Sequence, residues 1–328
     1  MNKKVYVGID LGGTSIKMGI CSVEGSAICE IEQPTPKGHY LEVLSTFNQL
    51  LGELLLQNGL LMDEVMGVGV GVPAFLNVKK GFVYNTVNLD WKDVPLKAEL
   101  EQALKLPCFI DNDANTAALG ESWQGAGRGA SHLICVTVGT GIGGGLFLNG
   151  DIYHGALGLA GEIGHLAVRP KTGRQCNCGK IGCLETEASA TAIAFYAIEA
   201  LKLGKATTLQ EKFQSIGTIT ARDVLDAAKN GDPVCQEIMD HVSYNLGFAL
   251  AQLSNVLNPE KIVIGGGVSK AGSFFLDPIR EQFRMYALKK VAETVEILPA
   301  ELGNSAGWLG AAWLVHRNLG HNGGKIAK

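Results

Sequence analysis

The chain has no long hydrophobic run. Nothing in its 328 residues approaches the roughly 20 consecutive apolar residues that a bilayer-spanning helix needs. Charge is also scarce: Asp, Glu, Lys and Arg make up 18% and the net charge is −4, which leaves no basic footprint for nucleic acid or anionic lipid. The opening Met1-Asn2-Lys3-Lys4-Val5 runs straight into a strand pattern carrying a charge at Asp10, without the apolar core of a secretory signal. No low-complexity linker divides the sequence. These absences predict a soluble, cytoplasmic protein without nucleic-acid or membrane partners. Its 46% hydrophobic residues suffice for a sizeable core, shared between two domains.

Glycine, by contrast, is abundant: 43 residues, about 13% of the chain against a usual value of roughly 7%. The glycines show no collagen period and sit in strand-like surroundings, which points to tight turns and close backbone approaches. Eight cysteines are present. Cys21, Cys29, Cys108, Cys135 and Cys235 lie among apolar residues and read as small core residues. The other three are bunched as Cys176-x-Cys178-x4-Cys183. Without a secretory signal a metal site is a better reading than a disulfide framework; a reduced, metal-free cluster is the alternative.

Lys4 to Asp10, the glycine turn Leu11-Gly12-Gly13-Thr14, and Ser15 to Ile20 predict a β-hairpin, with a third strand at Ala27 to Ile31. Apolar residues at helical spacing predict a helix over Leu41 to Leu56, and a buried strand follows at Val65 to Val72. A second hairpin is expected from His132 to Leu148, turning at Gly139-Thr140-Gly141-Ile142-Gly143. Two related lobes, each opening with a hairpin whose turn faces a shared cleft, would account for this repetition. Helical patterns then cover Glu187 to Leu203, Ala221 to Lys229 and Pro233 to Leu257. The strand Lys261 to Ile264 ends in Gly265-Gly266-Gly267, residues 305–319 predict a last helix, and the polar tail 320–328 is expected to be disordered.

Three glycine-rich turns therefore each follow an apolar strand. Backbone amides in such turns can converge on phosphate oxygens, although any one alone is as readily a structural turn. Gly139-x-Gly141-x-x-Gly144 matches a dinucleotide fingerprint, but Leu146-Phe147-Leu148 continues a strand where that fingerprint needs a helix. The Gly-Lys-Ser/Thr ending of a P-loop is absent. What remains is a phosphate chain held by hairpin turns, with Asp10 either placed to hold a metal ion or serving as a turn former. In Phe109-Ile110-Asp111-Asn112-Asp113-Ala114-Asn115 a strand ends and a helix, Thr116 to Trp123, begins. There Asp113 or Asn112 is either a helix N-cap or a polar group with a role in chemistry.

Asp10-x-Gly12-Gly13-Thr14-x-x-Lys17, the Gly139 to Gly145 turn and Ile264-Gly265-Gly266-Gly267-Val268 resemble the ATP-binding elements of sugar kinases in the actin-like ATPase superfamily. Glu162-x-Gly164-His165 and Cys176-x-Cys178-Gly179-x-x-Gly182-Cys183-x-Glu185 resemble the signature of the ROK family (repressors, uncharacterised frames and sugar kinases). The resemblance runs from Val5 to roughly Leu319. It implies an α/β, two-lobed actin-like ATPase or ribonuclease-H-like fold with the active site in the interlobe cleft. It also implies ATP with Mg²⁺, bound by Asp10, Gly12, Gly13, Thr14 and Lys17, by Gly139, Thr140, Gly141 and Gly143, and by Gly265, Gly266 and Gly267. Asp113 becomes the general base, accepting a proton from a sugar hydroxyl. Asn112, Asn88, Glu162, His165 and Glu185 become sugar contacts, and His165 with Cys176, Cys178 and Cys183 a closed structural zinc shell. Zinc and sugar would then share His165, one ring nitrogen each.

Asn88-Leu89-Asp90-Trp91 resembles the glucokinase members more than the fructokinases, so ATP-dependent phosphorylation of glucose to glucose 6-phosphate is the expected activity. Kinases for mannose, fructose or N-acetylmannosamine, and a non-catalytic sugar-binding regulator, are the rivals. A repressor would need a DNA-reading segment before Gly8, for which little chain is present. Two positions depart from the family pattern: Ala74 after Pro73, expected only to stiffen a loop, and Asn304-Ser305 in place of an acidic pair, so Asn304 is given no nucleotide role. The expected lobes are 1–118 with the last helix, 305–319, and 119–304 with the zinc loop 165–185. A homodimer or homotetramer is implied by the family.

Overall fold

The computed structural model describes residues 4–86 and 88–320; the Gly-rich tail from 321 onward lies outside them. The chain separates into two compact units. The first comprises Met1–Ser131, Gly145–Gly161 and Glu301–Lys328, and the second His132–Gly144 and Glu162–Ala300. The first unit thus extends past residue 118, because the helix that starts at Asp113 packs along the last helix of the chain.

In chain order the elements are β1 (Val5–Leu11), β2 (Ser15–Ser22), β3 (Ala27–Pro34), α1 (Tyr40–Gln57), β4 (Val65–Val72), β5 (Ala74–Asn77), β6 (Phe82–Thr86), β7 (Lys92–Val94), α2 (Leu96–Leu104), β8 (Cys108–Asn112) and α3 (Asp113–Gln124). They continue with β9 (His132–Val138), β10 (Ile142–Leu148), β11 (Asp151–Ile152), α4 (Leu184–Ala188), α5 (Ala190–Lys202), α6 (Gln210–Ile216), α7 (Ala221–Lys229), α8 (Pro233–Leu257), β12 (Lys261–Gly265), α9 (Ser273–Tyr286), α10 (Lys289–Thr294), β13 (Glu296–Pro299) and α11 (Ala306–Leu319). One five-stranded sheet has the order β3-β2-β1-β4-β8 and the other β11-β10-β9-β12-β13. The two orders follow one plan: a β-meander whose first strand, β1 or β9, carries the later strands in parallel. The repetition expected from the hairpins is therefore a repetition of whole sheets.

In the first unit the strand period of two sorts side chains onto the two faces of the sheet. Val5, Val7, Ile9 and Leu11 of β1 join Val68, Val70 and Val72 of β4, together with Phe47, Leu50 and Leu51 of α1, in one core. The opposite face is nearly bare. Tyr6 packs there with Trp308, and a Cβ added to Gly8 would run into the Trp308 carbonyl. At Gly69 it would meet the Ala311 carbonyl, at Gly71 the Thr116 hydroxyl, and at Gly310 the Thr116 carbonyl. The alternation Val68-Gly69-Val70-Gly71-Val72 is thus a core face and a trough, and α11 lies in the trough. Buried Glu121 directs the chain into that position by accepting the amides of Glu301 (3.2 Å) and Leu302 (2.9 Å). Glu30 accepts the indole N–H of Trp308 at 2.8 Å.

Several expectations need correction. The helix after the Asp111–Asp113 stretch begins at Asp113 rather than Thr116, because Asn112 caps it. The helical pattern from Glu187 is broken at Ser189, which ends α4 and caps α5 with its side chain. Ala74 does not belong to a loop: it opens β5 and pairs with Thr86. The sheet β5-β6-β7 and the helices α2 and α9 lie outside those expectations; the strands of that sheet are short, and α2 has only nine residues. In the second unit α8 is the central helix, packed by α4, α5, α7 and α9. No described helix is long and apolar enough to cross a membrane.

Replacing Gly69 by alanine should cost roughly 1–3 kcal/mol or more, since backbone must move to admit the methyl. Gly52→Ala, in α1 with open space around its Cα, should instead stabilise by up to about 1 kcal/mol. Urea unfolding of the two variants checks both signs.

Candidate active site

In the first unit, Asp10 continues the α11-facing row of Tyr6 and Gly8 on β1. Its carboxyl group lies against Gly307, in the first turn of α11, where only a glycine leaves room for it. Burial is the main cause that raises the Asp10 pKa to about 6, and the charge of Asp113 adds to it. Lys17, opposite Asp10 in the β1–β2 register, pulls the other way. The turn between them is pinned by Thr35, whose amide donates to the Thr14 carbonyl (3.0 Å) and whose hydroxyl donates to the Gly12 carbonyl (2.7 Å). Gly13 faces Asn88: a Cβ at Gly13 would stand 2.8 Å from the Asn88 Cβ. The structure therefore brings a residue expected on the sugar against the expected phosphate turn.

The β8–α3 corner carries Asn112 and Asp113. Asn112 Oδ1 accepts the amides of Ala114 (2.9 Å) and Asn115 (3.3 Å), so Asn112 is the N-cap and only its amide nitrogen is left to meet a ligand. Asp113 accepts the Ala114 amide at 3.0 Å. Burial raises its pKa, against the lowering effect of that bond and of Asn112. Behind them Asp111, fully buried, accepts three bonds: from its neighbour's amide at Asn112 (2.8 Å), from Asn115 Nδ2 (2.9 Å), and from His154 Nε2 (2.7 Å). Sequence reasoning passed over Asp111 and His154. A carboxylate inside the apolar strand Cys108–Asn112 was the available signal.

In the second unit the glycine turn after β9 is held by Gly139 N–H to the Gly141 carbonyl (3.0 Å), by the Ala190 amide on the Gly139 carbonyl (2.8 Å), and by the Thr191 hydroxyl on the Thr140 carbonyl (2.7 Å). Glu185 docks on it directly: the Ile142 amide donates to Glu185 Oε2 at 3.0 Å, and a side chain at Gly141 would collide with that oxygen. Gly164, inside the Glu162–His165 turn, abuts the Ile142 carbonyl. The expected sugar residues Glu162, His165 and Glu185 thus gather around the expected phosphate turn. Gly143 lies within β10 rather than in that turn. Gly266 has φ +90° and lies against the Val138 carbonyl, where only glycine fits; Gly265 ends β12, and Gly267 leads into a short 3₁₀ turn.

His165, Cys176, Cys178 and Cys183 bring their ligand atoms within 4.8 Å of one another. Cys176 Sγ lies 3.7 Å from His165 Nδ1, and Cys178 Sγ 3.6 Å from Cys183 Sγ. Tetrahedral ligands at about 2.0–2.3 Å from a metal stand roughly 3.6–3.8 Å apart, so the donor set fits a closed four-coordinate site. His165 Nε2 is turned away from it, 4.0 Å from Glu162 Oε2. The loop that carries the cysteines is fastened by Glu187, which the sequence reading also missed. Buried completely, Glu187 accepts the Arg174 amide, the Tyr196 hydroxyl (2.6 Å) and His241 Nε2 (3.0 Å). Burial alone would raise its pKa, but these bonds outweigh it and hold the carboxyl at about 2.

Two α/β units with sheets of one plan define the two-lobed fold of the actin-like ATPases, and the solved structures it matches have that fold. Residues 6–318 match the ROK family, and the chain belongs to that family. A glucokinase from Halalkalibacterium halodurans is 48% identical over 316 residues, covering 96% of either chain. A glucokinase from Thermotoga maritima is 36% identical, over 98% of this chain and all of the other. The crystal structure of a ROK family glucokinase from Streptomyces griseus in complex with glucose and AMPPNP is 34% identical, with a TM-score of 0.77. The match covers 94% of this chain and 98% of that one.

Because the folded-state pKa of Asp10, about 6, lies above its ordinary 3.8, folding takes up a proton there between those values. Stability from this group is therefore present at low pH and falls as pH rises through about 6. Asp10→Asn should raise the thermal midpoint at pH 7.5, without divalent cation, and leave it little changed at pH 4. Melting curves of both proteins across that range decide it.

Proposed function

We propose that the protein is an ATP-dependent glucokinase that transfers the γ-phosphoryl group of ATP to the 6-hydroxyl of glucose. The observation that carries the reading is the β8–α3 corner: a half-buried aspartate with raised proton affinity, beside an asparagine whose side-chain amide nitrogen can donate to a sugar oxygen as well as to that aspartate. Kinship with glucokinases over nearly the full chain supports the choice of sugar.

Asp113 accepts the hydroxyl proton as the sugar oxygen bonds to phosphorus and the bond from phosphorus to the ADP oxygen breaks. A carboxylate takes that proton late, when the hydroxyl has become acidic. Asn112, Asn88, Glu162, His165 and Glu185 fix the sugar through its hydroxyls. Gly12, Gly13, Thr14 and Lys17, with Gly139, Thr140, Gly141 and Gly143 and with Gly265, Gly266 and Gly267, hold the nucleotide. Asp10 is the carboxylate that would hold Mg²⁺: it and Asp113 are like charges in a buried setting, an arrangement a divalent cation relieves. Bound Mg²⁺ supplies charge neutralisation on the phosphates.

The metal at His165, Cys176, Cys178 and Cys183 is zinc in this reading, with a structural role. The orientation of His165 supports it, since Nδ1 faces the thiols and Nε2 remains for a sugar hydroxyl beside Glu162. Self-association as a dimer or tetramer belongs to the same reading. A partly exposed aromatic face, in which Tyr244 stacks on Phe248 and Tyr286 meets both edge-on, supports it.

Asp113→Asn should reduce turnover by about 10²–10⁴-fold while glucose binding, followed by calorimetry, persists. ADP release with glucose, mannose, fructose and N-acetylmannosamine as separate acceptors should favour glucose; another preferred sugar would overturn the substrate and leave the base. Metal analysis should find one zinc per chain, and Cys176→Ser should lose it together with glucose affinity.

A further inference from the structure

We propose that His154 and Asp111 are positioning residues for the phosphoryl transfer, a carboxylate–imidazole pair that sets the corner from which Asp113 and Asn112 act. The inference rests on the reading of Asp113 as the base. Neither residue belongs to the motifs that identify the family, and neither is needed as a ligand in the mechanism above.

The geometry is specific. Asp111 has no exposed surface, and a carboxylate so placed must find donors for its oxygens. Oδ1 takes two, the Asn112 amide and Asn115 Nδ2; Oδ2 takes the imidazole of His154 at 2.7 Å. The first two bonds fix the strand-to-helix turn at the residue before Asp113 and within the first turn of α3. The third comes from far along the sequence. His154 follows β11, where the Tyr153 amide donates to the Leu146 carbonyl (2.7 Å), and its own carbonyl accepts the Ala160 amide (3.1 Å). Gly155, Gly158 and Gly161, all at positive φ, give that loop its path, and Gly158 passes close to the Leu76 carbonyl. The loop continues in sequence to Glu162. Asp111 therefore reads both the base corner and the loop that leads into the sugar motif, and His154 is the link between them.

A base must be held within a few tenths of an ångström of its productive position, and misplacement by about 1 Å can cost roughly 10²-fold in rate. Losing the imidazole leaves Asp111 Oδ2 buried without its donor, and the corner, still tied through Oδ1, loses its hold on the 153–161 loop and can shift slightly. The step it would disturb is the approach of the hydroxyl to Asp113, not the hold on the nucleotide.

The test uses the full-length protein loaded with zinc, with glucose and Mg-ATP. His154→Ala should lower kcat by about 10- to 100-fold, with KM for Mg-ATP within about two-fold of the parent. His154→Gln, whose Nε2 can reach the place of the imidazole Nε2, should regain most of the lost kcat. His154→Leu, of similar bulk but without a donor, should not. A kcat for His154→Ala equal to the parent's, while Asp113→Asn is inactive, would overturn the pair and leave the base standing. Equal losses in His154→Gln and His154→Leu, tracking a lowered melting temperature, would reduce the pair to a structural contact. Full turnover in Asp113→Asn would remove the base and the inference with it.

Discussion

The first unit depends on how closely its last helix can approach its sheet. Helices usually pack on sheets through side chains, but here α11 meets β1, β4 and α3 backbone to backbone. Gly8, Gly69 and Gly71 leave the strand surface bare, and Gly310 does the same for the helix where it faces Thr116. Dispersion between closely packed backbone atoms replaces the contacts that side chains would have made. The closeness has a chemical result. The first turn of α11 reaches the end of β1, so that Gly307 lies on the carboxyl group of Asp10. A side chain at any of these positions would lift the helix away from that carboxylate.

The second unit applies a similar economy of space at one turn. Gly141 and Gly164 each give up a side chain so that Glu185 and the Ile142 carbonyl can sit against them. One carboxylate thereby touches the proposed phosphate turn through Oε2, which leaves Oε1 for the proposed sugar contact. The cysteine loop, which supplies this face, has little apolar substance of its own. It is fastened by the bonds that converge on Glu187, and His165, Cys176, Cys178 and Cys183 stand together within it. A metal bound there, as proposed, would add its binding free energy to the folding of the loop.

Glu187, fully buried, and Asp113, half-buried, illustrate opposite solutions. Glu187 is surrounded by donors and stays ionised with its pKa at about 2, which suits a structural anchor. At Asp113 the bonds do not outweigh burial, which raises its proton affinity, as the proposed role of proton acceptor would require. The two differ in whether the bonds that each carboxylate accepts outweigh the cost of its burial.

The sequence by itself determined the strand and helix inventory of the larger elements, the repeated hairpins and the cysteine cluster. Those are local properties: period two or 3.6 in the apolar residues, glycine where the chain must turn, and three thiols within eight residues. The Val–Gly alternation of β4 was visible as a strand, but nothing local says that its glycine face receives a helix more than 230 residues later. Short elements such as β5, β6 and β7 escaped because three to five residues carry too little periodicity to stand out. Asp111, His154, Glu187 and Thr35 escaped for a different reason. Their significance lies in partners brought from distant parts of the chain, and a carboxylate becomes an anchor or a base only when burial and its donors are fixed. That environment exists only in the folded molecule, so only the tertiary structure decided it.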